Sequence, residues 1–453
     1  MTSEAQKTEE TLEGRGKGEA HNLPLKGVKQ GITRKWSESP NFKPELMEEI
    51  LTEENLREAL KRVKANKGCA GIDKMEVEEL GEYLRKYWKY IKEQLLKGTY
   101  RPKAVKRVEI PKPSGGVRNL GIPTVLDRFI QQATLQILQR GYDSTFSESS
   151  YGFRPSRSAQ QAVRKAQEYQ KEGYGVVVDI DLEKFFDQVN HDRLMGRMAK
   201  EIEDKRVLKL IRGYLQAGVM INGLVSTPDS GTPQGGPLSP LLSNIVLDEM
   251  DKELEKRGHR FVRYADDCNI YVKSIRAGQR VMESLTVFIE RKLKLKVNKA
   301  KSAVAKPIER KFLGFSFIHK RIRIAGESVK RFKDRIREIT RTNRRIAFEE
   351  MVEELTVYMR GWIGYYKICE THKVLEDLEC WIRHRLRNYI WQQWKKYKTR
   401  YTNLMQKGIG EELAKKTASS GKGSWRISHC QAMQIAYPIN FFDKMKIPRL
   451  VKA

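Results

Sequence analysis

The sequence has few cysteines and no long apolar run, and both absences narrow what the chain can be. Its 5 cysteines are scattered over 453 residues without a Cys-x-x-Cys pair, which argues against structural zinc and against a disulfide framework. No run of about 18 or more apolar residues occurs, so no segment is predicted to span a bilayer. The N-terminus lacks a signal-peptide core, and its glutamates are unlike an acid-poor transit peptide. We therefore expect a reduced, cytoplasmic protein without a membrane partner.

Acidic residues are also in the minority. The chain carries 87 Lys and Arg against 57 Asp and Glu, for a formal net charge of +30. Such an excess of cations gains affinity for phosphates by releasing condensed counterions, so the composition favours a nucleic-acid partner. The length of 453 residues is enough for two or three domains.

Two adjacent aspartates lie in the most informative stretch, Phe261–Val272. Short β-rich runs flank Asp266 and Asp267, which predicts a hairpin with both carboxylates at its bend. Adjacent carboxylates are costly unless a cation lies beside them, and Mg²⁺ favours one or two carboxylates together with substrate phosphates. For this short motif alone, a solvated acidic turn is the common alternative.

A second acidic segment, Val176–Asp187, begins with a β-branched run that is typical of a buried strand. Alternation along this strand puts Asp179 and Asp181 on one face. Buried carboxylates need a partner or a metal ion. One of them alone would fit a structural salt bridge, but two on one face, with a second acidic hairpin in the chain, favour a metal site. The pattern does not decide which of the two binds.

Three loops carry cations or accessible backbone. A Gly-Gly hairpin holds Lys112 and Arg118, a pair suited to a triphosphate, although an exposed basic hairpin is an equal alternative. A Gly- and Pro-rich loop contains Gln234, which is able to hydrogen-bond a base or a sugar. Tyr151 and Arg154 belong to an aromatic and basic loop of the kind that contacts a nucleic-acid strand.

Glycines in two further segments suggest close approach of the backbone to a ligand. The loop after a predicted helix contains Asn66, Lys67 and Gly68, although a plain turn is the simpler interpretation of this fragment. The segment Lys311–Phe317 is predicted to be a strand interrupted by Gly314.

Helical periodicity dominates after about residue 322 and predicts three amphipathic helices in a small bundle. Cations including Arg383 and Arg387 interleave with aromatic residues in the last of these helices and beyond it, which suggests a surface that faces nucleic acid. A solvated basic face over core tryptophans is the alternative. The polar first 44 residues have no sustained apolar period and are expected to be disordered until bound.

In chain order, these blocks resemble the reverse transcriptases encoded by group II introns. The blocks are the Asn-Lys-Gly loop, Ile-Pro-Lys-Pro-x-Gly-Gly-x-Arg, Tyr-Gly-Phe-Arg-Pro, Asp-x-x-x-Phe-Phe-Asp, Thr-Pro-Gln-Gly-Gly, Tyr-Ala-Asp-Asp, Asn298-x-x-Lys301, Phe312-Leu-Gly-Phe315 and Arg360-Gly-Trp-Ile-Gly-Tyr-Tyr366. Each block alone is weak, but all of them in one order form a strong signal. The resemblance runs from about Leu51 to the C-terminus.

The resemblance implies an α+β right-hand polymerase with fingers, a palm with an antiparallel sheet, and an α-helical thumb. The implied domains are a flexible basic N-terminal extension at 1–48, fingers and palm at 49–320, a thumb or maturase domain at 321–398, and a short DNA-binding domain at 399–453. The longest family members also carry a His-Asn-His endonuclease with clustered cysteines. His429 and Cys430 stand outside any such cluster, so no endonuclease is expected.

The resemblance also assigns roles to individual residues. Asp181, Asp266 and Asp267 would be the catalytic carboxylates and the ligands of two Mg²⁺ ions, with Asp181 chosen by its distance from the Phe-Phe-Asp triplet. The implied dNTP-binding residues are Lys112, Arg118, Phe186, Gln234 and Lys301. The implied primer- and template-binding residues are Asn66, Lys67, Gly68, Tyr151, Arg154, Tyr264, Phe312, Leu313 and Gly314. The implied RNA-binding residues of the thumb are Arg360, Trp362, Tyr365, Tyr366, Arg383 and Arg387.

The activity that the resemblance implies is RNA-directed DNA synthesis, together with a maturase role in splicing and in retrohoming. The implied partners are the group II intron RNA, an RNA template with a DNA or RNA primer, target DNA and dNTPs, in the cytoplasm and at the nucleoid of a bacterium or archaeon. One alternative is a splicing-only maturase on a decayed polymerase fold, against which the intact Asp181, Gln234 and Asp-Asp pair argue. The other is a reverse transcriptase of a retron or a diversity-generating element, which lacks the long basic thumb.

Overall fold

The computed structural model describes residues 40, 42–111, 117–221, 224–226, 235–344 and 346–451. Lys112 and Gln234 therefore lie outside the described residues, as do residues 1–39 and 41 of the predicted N-terminal extension. The chain divides into two compact units, Met1–Ala305 and Lys306–Ala453. Within the described ranges, no helix combines the length and the apolarity that crossing a membrane requires.

The first unit combines α-helices with two sheets. Its described helices, α1 to α10, are Leu46–Ile50, Glu53–Ala65, Leu80–Leu96, Val125–Asp143, Ala159–Lys171, Phe185–Gln188, His191–Met198, Lys205–Gln216, Ser239–Lys256 and Ile275–Phe288. A π-helix, Ile289–Leu293, follows the last of them. Its described strands, β1 to β8, are Val105–Pro111, Val117–Ile122, Val176–Ile180, Val219–Ile221, Leu224–Ser226, Arg260–Tyr264, Asp267–Val272 and Ala303–Ala305.

One sheet carries both acidic segments. Its strand order is β6-β7-β3-β8, and every neighbouring pair in it is antiparallel. β3 lies inside this sheet because its apolar run has to be covered, and Val178 and Ile180 are almost fully buried. The structure confirms the predicted buried strand and an antiparallel sheet around it.

The other sheet has the order β2-β1-β4-β5. β1 and β2 form an antiparallel hairpin, as the sequence predicted, in which Ile110 pairs with Arg118. β1 also pairs with β4 in the parallel direction, and β4 pairs with β5 in the antiparallel direction.

Side-chain caps fix the starts of two helices of the first unit. The Thr124 hydroxyl accepts a hydrogen bond from the Asp127 N–H at the start of α4. Ser158 caps α5 through a reciprocal capping box with Gln161. Both caps satisfy backbone donors that have no partner within the helix.

The folded core begins before the expected domain boundary at residue 49. Leu46 and Met47 are fully buried in α1. The Met47 N–H also donates to the Asp204 carboxylate at 2.9 Å. Burying two large apolar side chains stabilises this segment, so its residues belong to the folded unit and not to a flexible extension.

The second unit is mainly helical. Its described helices, α11 to α18, are Gly326–Ile339, Phe348–Tyr366, His372–Gln393, Tyr397–Gln406, Glu411–Ala418, Ser424–Ile427, Gln431–Ala436 and Ile439–Lys444, with a short 3₁₀ helix at Thr342–Arg344. Two antiparallel strands, β9 (Phe315–Ile318) and β10 (Arg321–Ile324), precede them. The three longest helices confirm the predicted amphipathic set, and the rings of Phe332 and Trp362 pack with centroids 4.1 Å apart.

The segment Lys311–Phe317, predicted as a strand interrupted by Gly314, is strand only from Phe315 onward, and the interruption is a reversal of the chain. Leu313 and Gly314 have φ angles of 51° and 81°, so the chain reverses between Phe312 and Phe315. Those two phenylalanines exchange backbone hydrogen bonds at 2.8 and 2.9 Å. Consecutive positive φ angles are typical of a two-residue hairpin turn, which glycine permits and an uninterrupted strand does not contain.

Candidate functional site

The Asp-Asp pair lies at the bend of the β6–β7 hairpin, as predicted. Tyr264 pairs with Asp267 across the hairpin, which leaves Ala265 and Asp266 as the turn residues. Ala265 has a φ of 56°, a left-handed conformation that is uncommon for a residue with a side chain. Asp266 is half-buried and Asp267 is exposed, so the second carboxylate is open to solvent.

The backbone of this turn is held by the segment that precedes Arg154. The Tyr151 N–H donates to the Arg263 carbonyl at 2.8 Å, and the Arg263 N–H donates to the Ser149 carbonyl at 2.8 Å. Gly152 lies so near the turn that a Cβ there would be 2.2 Å from the Ala265 nitrogen. A side chain at this position would displace the turn, which is why the position requires glycine.

A fully buried ion pair beneath the turn was missed by the sequence interpretation. Arg263 and Asp251 are both 0% exposed, and Arg263 Nε donates to Asp251 Oδ1 at 2.7 Å. Further donors of the guanidinium reach Asn244 Oδ1 at 2.9 Å, the Ala265 carbonyl at 2.9 Å and Ser150 Oγ at 2.8 Å. One side chain therefore joins helix α9, the Ser149–Gly152 segment and the turn itself.

Desolvation sets the protonation of the groups around this pair. Burial raises the pKa of the Asp251 carboxyl, although Arg263 acts in the opposite sense. Burial also disfavours the Arg263 charge, but the facing carboxylate outweighs it and raises the Arg263 pKa. The pKa of the Cys268 thiol is raised by burial as well, so Cys268 stays a neutral thiol and is not a nucleophile.

The strand register brings Asp181 to the Asp-Asp turn. Ile180 at the end of β3 pairs with Cys268 in β7. Asp181 is the next residue after the end of β3, and Asp267 is the first residue of β7, so both lie at the same end of this strand pair. The side chain of Asp181 is 32% exposed, which leaves it accessible to a ligand.

The loop at 298–302 holds Asp181 in this place. The Asn298 N–H donates to the Asp181 carbonyl at 2.8 Å, and the Asp181 N–H donates to Ser302 Oγ at 3.0 Å. Lys301 Nζ lies 3.8 Å from Asp181 Oδ2. A predicted dNTP-binding lysine thus lies next to a predicted metal ligand.

Asp179 occupies a different place on the same face. It pairs with Asn269 on one side and with Ala303 on the other, inside the sheet. Residues two positions apart on a strand are separated by about 7 Å along it, so Asp181 is the nearer of the two to the turn. The alternation of the sequence left this choice open.

The donor set fits a divalent cation. Asp181, Asp266 and Asp267 offer carboxylate oxygens at adjoining strand ends, and Mg²⁺ prefers such hard oxygen ligands. Across the described residues, no group of three or more His, Cys, Asp or Glu side chains is already close enough to hold a metal ion.

Phe185 and Phe186 have different environments although they are neighbours in α6. Phe185 is 3% exposed and belongs to the core, whereas Phe186 is half-buried. Their rings meet edge to face with centroids 5.2 Å apart. Phe186 therefore keeps part of its ring available to a ligand.

The Asn-Lys-Gly loop packs against helix α4. Asn66 and Lys67 are exposed, while a Cβ at Gly68 would be 2.3 Å from Nη1 of Arg128. Arg128 Nη2 donates to the Cys69 carbonyl at 2.6 Å. The glycine thus permits a contact within the protein, and the exposed Asn66 and Lys67 remain accessible to a strand.

Tyr151 and Arg154 face inward. Arg154 is 4% exposed, its Nε donates to Asp143 Oδ1 at 2.8 Å, and its Nη1 donates to the Ser147 carbonyl at 2.5 Å. Tyr151 is 7% exposed. The side chains of Tyr151 and Arg154 therefore stabilise the loop itself. Tyr264, another predicted primer- and template-binding residue, lies at the end of β6 and is half-buried.

In the second unit, two predicted RNA-binding tyrosines contact the predicted primer-binding turn. The Tyr365 hydroxyl donates to the Leu313 carbonyl at 2.9 Å. A Cβ at Gly314 would be 2.7 Å from the Tyr366 hydroxyl. The turn at Leu313–Gly314 is therefore fixed by helix α12.

The other predicted thumb residues are mostly internal. Trp362 and Arg387 are buried, and Arg387 Nε donates to the Tyr437 carbonyl at 2.9 Å. Arg383 pairs with Glu379 at 2.5 Å. Arg360 is exposed. Their burial favours packing roles for Trp362 and Arg387, and Arg360 remains the accessible cation of the set.

Comparison with known families matches two adjoining regions of the chain. Residues 110–317 match the family described as reverse transcriptase (RNA-dependent DNA polymerase). Residues 329–408 match the group II intron maturase-specific domain. The first region contains the acidic sheet, and the second contains helices α12 and α13.

Individual proteins also match parts of the chain. The chain is 32% identical to Protein YkfC of Escherichia coli K12, over 63% of this chain and 86% of that protein. It is 31% identical to the group II intron-encoded protein LtrA of Lactococcus lactis subsp. cremoris, over 52% of this chain and 50% of that protein. The chain thus spans about half of LtrA. Among solved structures, a partial Cas6-RT-Cas1–Cas2 complex aligns with a TM-score of 0.36 and 26% identity, covering 59% of this chain and 46% of that chain.

Proposed function

Because the chain belongs to the family of group II intron-encoded reverse transcriptases and maturases, we propose that it copies RNA into DNA and assists the splicing of its intron RNA. The reaction is templated attack of a primer 3′-hydroxyl on the α-phosphorus of a dNTP, with pyrophosphate as the leaving group. One observation supports this proposal most: β3 ends at the Ile180–Cys268 pair, so that Asp181 follows directly at the end of the pair where β7 begins with Asp267.

Asp181, Asp266 and Asp267 are the proposed catalytic carboxylates and the ligands of two Mg²⁺ ions. When bound, the ions neutralise charge on the attacking and leaving oxygens of an in-line displacement. The protein contributes a fixed geometry for the ligands. Backbone contacts from the loop at 298–302 orient Asp181, and the guanidinium of Arg263 holds the Ala265 carbonyl of the turn.

The incoming nucleotide is proposed to contact both the basic hairpin and the acidic sheet. Lys112, Arg118 and Lys301 supply positive charge for the triphosphate. Gln234 lines the nucleotide pocket. The partly accessible ring of Phe186 lies beneath the sugar and excludes a 2′-hydroxyl by its bulk.

The wider assignment is a right hand with fingers and palm to residue 320, a thumb or maturase domain at 321–398 and a DNA-binding segment at 399–453. Template and primer are proposed to contact Asn66, Lys67, Gly68 and Tyr264, together with the turn at Phe312–Gly314. Tyr151 and Arg154 act by shaping the loop next to the Asp-Asp turn, since both are buried.

Binding of the intron RNA is proposed for the second unit, because the maturase-specific match lies there. Arg360 is the exposed candidate for a phosphate contact, and Tyr365 and Tyr366 act through the Leu313–Gly314 turn. Target DNA is the further proposed partner. The maturase-specific match also argues against the retron-type alternative.

The test of this proposal is the double replacement Asp266→Asn with Asp267→Asn. The purified variant should lose primer extension on an RNA template with Mg²⁺ and dNTPs, because two anionic ligands become neutral amides. Asp192→Asn is the matched control, since Asp192 has a 79% exposed side chain in a surface pair with Arg212. The double variant should still assist splicing if the second unit binds RNA by itself. Wild-type cDNA synthesis by the double variant would contradict the site.

A further inference from the structure

Helix α3 (Leu80–Leu96) presents a surface that none of the roles above uses. One side of the helix belongs to the core, where Ile91 and Leu95 are buried and Trp88 meets Phe129 edge to face at 5.7 Å. The helix also precedes residue 110, at which the match to the reverse transcriptase family begins. No functional role has therefore been given to the solvent-facing side of this helix.

Three tyrosines run along this helix at spacings of four and three residues. Tyr83, Tyr87 and Tyr90 consequently lie on one side of it, one turn after another. The rings of Tyr83 and Tyr87 are 4.8 Å apart, and Tyr87 and Tyr90 are 40% and 64% exposed. Large aromatic side chains exposed together in this way mark interaction sites.

Cations accompany these rings. Lys86 Nζ lies 5.2 Å from the centroid of the Tyr87 ring, and Lys89 is exposed on the next turn. Helix α3 carries four cations, Arg85, Lys86, Lys89 and Lys92, against two acids, Glu82 and Glu93. Glu93 is paired with Lys97 at 2.6 Å, so the tyrosines lie on a helix with an excess of positive charge.

We propose that Tyr83, Lys86, Tyr87, Lys89 and Tyr90, here called the α3 stripe, bind a single-stranded loop of RNA. Exposed rings stack on unpaired bases whatever their identity, while lysines neutralise the adjoining phosphates. A duplex hides its base faces, so an RNA loop or bulge fits this chemistry and a helical stem does not. The inference rests on the proposed function, which makes RNA a partner of this chain.

The stripe contains polar tyrosine hydroxyls and lysines instead of aliphatic side chains. This composition favours nucleic acid over an apolar protein surface, which would bury lysines at a cost. A second copy of the chain would also bring two positively charged stripes together. Charge complementarity therefore selects a polyanion as the occupant.

The test measures RNA affinity of the full chain carrying Tyr87→Ala with Tyr90→Ala. The probe is a labelled RNA stem with an oligo(A) loop, and a second probe is the same stem without a loop. Saturating template and primer are present without dNTPs, so that the synthesis cleft is filled. We expect loop binding to weaken by about 25-fold or more, since each of the two lost base stacks is worth about fivefold or more. Binding of the stem probe should not change.

Tyr87→Phe with Tyr90→Phe is the matched control, because it keeps both rings and should bind the loop like the wild type. The double variant Lys86→Gln with Lys89→Gln should show a weaker salt dependence of binding. The magnitude of the slope of log affinity against log salt should decrease by roughly 1.4, which is about 0.7 for each lost phosphate contact. All three variants should extend a primer at the wild-type rate. If the proposed polymerase function is wrong, the wild-type protein will not extend a primer. That result is independent of whether the α3 stripe binds RNA.

Two outcomes would overturn the proposal. Equal loop affinity of the alanine variant and the wild type would mean that the rings do not stack on RNA. A change of self-association in the alanine variant, measured by sedimentation without any change in RNA affinity, would identify the α3 stripe as a protein-docking surface instead.

Discussion

Replacing Asp251 with alanine is expected to lower the free energy of unfolding of the first unit by about 3–5 kcal/mol, because the Arg263 guanidinium would stay buried without its counter-charge. The magnitude follows from the structure: both side chains are 0% exposed, and three of the six hydrogen bonds of Arg263 go to Asp251. The total stability of a domain is usually only about 5–15 kcal/mol. Losing this partner would therefore loosen the strands that carry the Asp-Asp turn.

Hydrogen exchange read by mass spectrometry is the appropriate assay, because it reports on peptides from β6 and β7 separately. A loss of about 3 kcal/mol in opening free energy speeds their exchange by roughly a hundredfold. Glu53→Ala is the control, since its pair with Arg57 is 78% and 77% exposed and is worth less than about 0.5 kcal/mol. Asp251→Leu combined with Arg263→Met should recover part of the loss, because no unpaired charge remains. Unchanged exchange in Asp251→Ala would refute the reasoning.

Three further perturbations test other parts of the molecule. Phe186→Ala should raise ribonucleotide use relative to dNTP use by roughly tenfold to a hundredfold in steady-state incorporation, since a wall against the 2′-hydroxyl worth about 1–3 kcal/mol disappears. Tyr365→Phe removes the 2.9 Å hydrogen bond to Leu313 and should weaken primer binding about fivefold with the KM for dNTP unchanged. The hydrogen bond from Arg206 lowers the pKa of Glu48 below 4.5, so this pair stabilises the fold above that pH and loses its effect as the pH falls. Glu48→Gln should therefore cost up to about 1 kcal/mol in urea unfolding at pH 7, with the difference shrinking below pH 4.5.

Each of these has a distinct contrary result. An unchanged sugar preference in a folded Phe186→Ala protein would mean that this ring is only part of the core, whose loss lowers both activities alike. Equal primer affinity in Tyr365→Phe, with exposed Tyr397→Phe as the control, would separate the Leu313–Gly314 turn from primer binding. A difference between Glu48→Gln and the wild type that persists at low pH would contradict the role given to the Glu48 charge.

Strongly patterned segments could be predicted from the sequence. The β-branched run before Asp181 and the apolar runs around Asp266–Asp267 predicted a buried strand and a hairpin, and both are present. Apolar periodicity in the last third likewise predicted the long helices. In each case the local pattern determines the element, because burial of one face is the main source of its stability.

The direction of individual cations and aromatic residues could not be predicted in the same way. Arg154 and Arg387 belong to basic, aromatic segments that suggested a nucleic-acid surface, yet both are buried and donate to backbone carbonyls. Composition does not show which side chains satisfy carbonyls inside the protein, since those partners are distant in sequence. The buried pair of Arg263, by contrast, could have been predicted from the sequence. A charge inside an otherwise apolar strand needs a buried partner, and Asp251 on the preceding helix was available.

The most direct test of the central claim is to compare Asp181→Asn with Asp179→Asn in primer extension on an RNA template. Both substitutions replace an aspartate by its neutral amide, and far-ultraviolet circular dichroism checks that both variants fold. Asp181 directly follows the end of β3, where β7 begins with Asp267, whereas Asp179 lies within the sheet between Asn269 and Ala303. We predict that Asp181→Asn abolishes extension while Asp179→Asn retains measurable activity. Equal loss of extension in two folded proteins, or full activity in Asp181→Asn, would contradict the assignment of the catalytic centre.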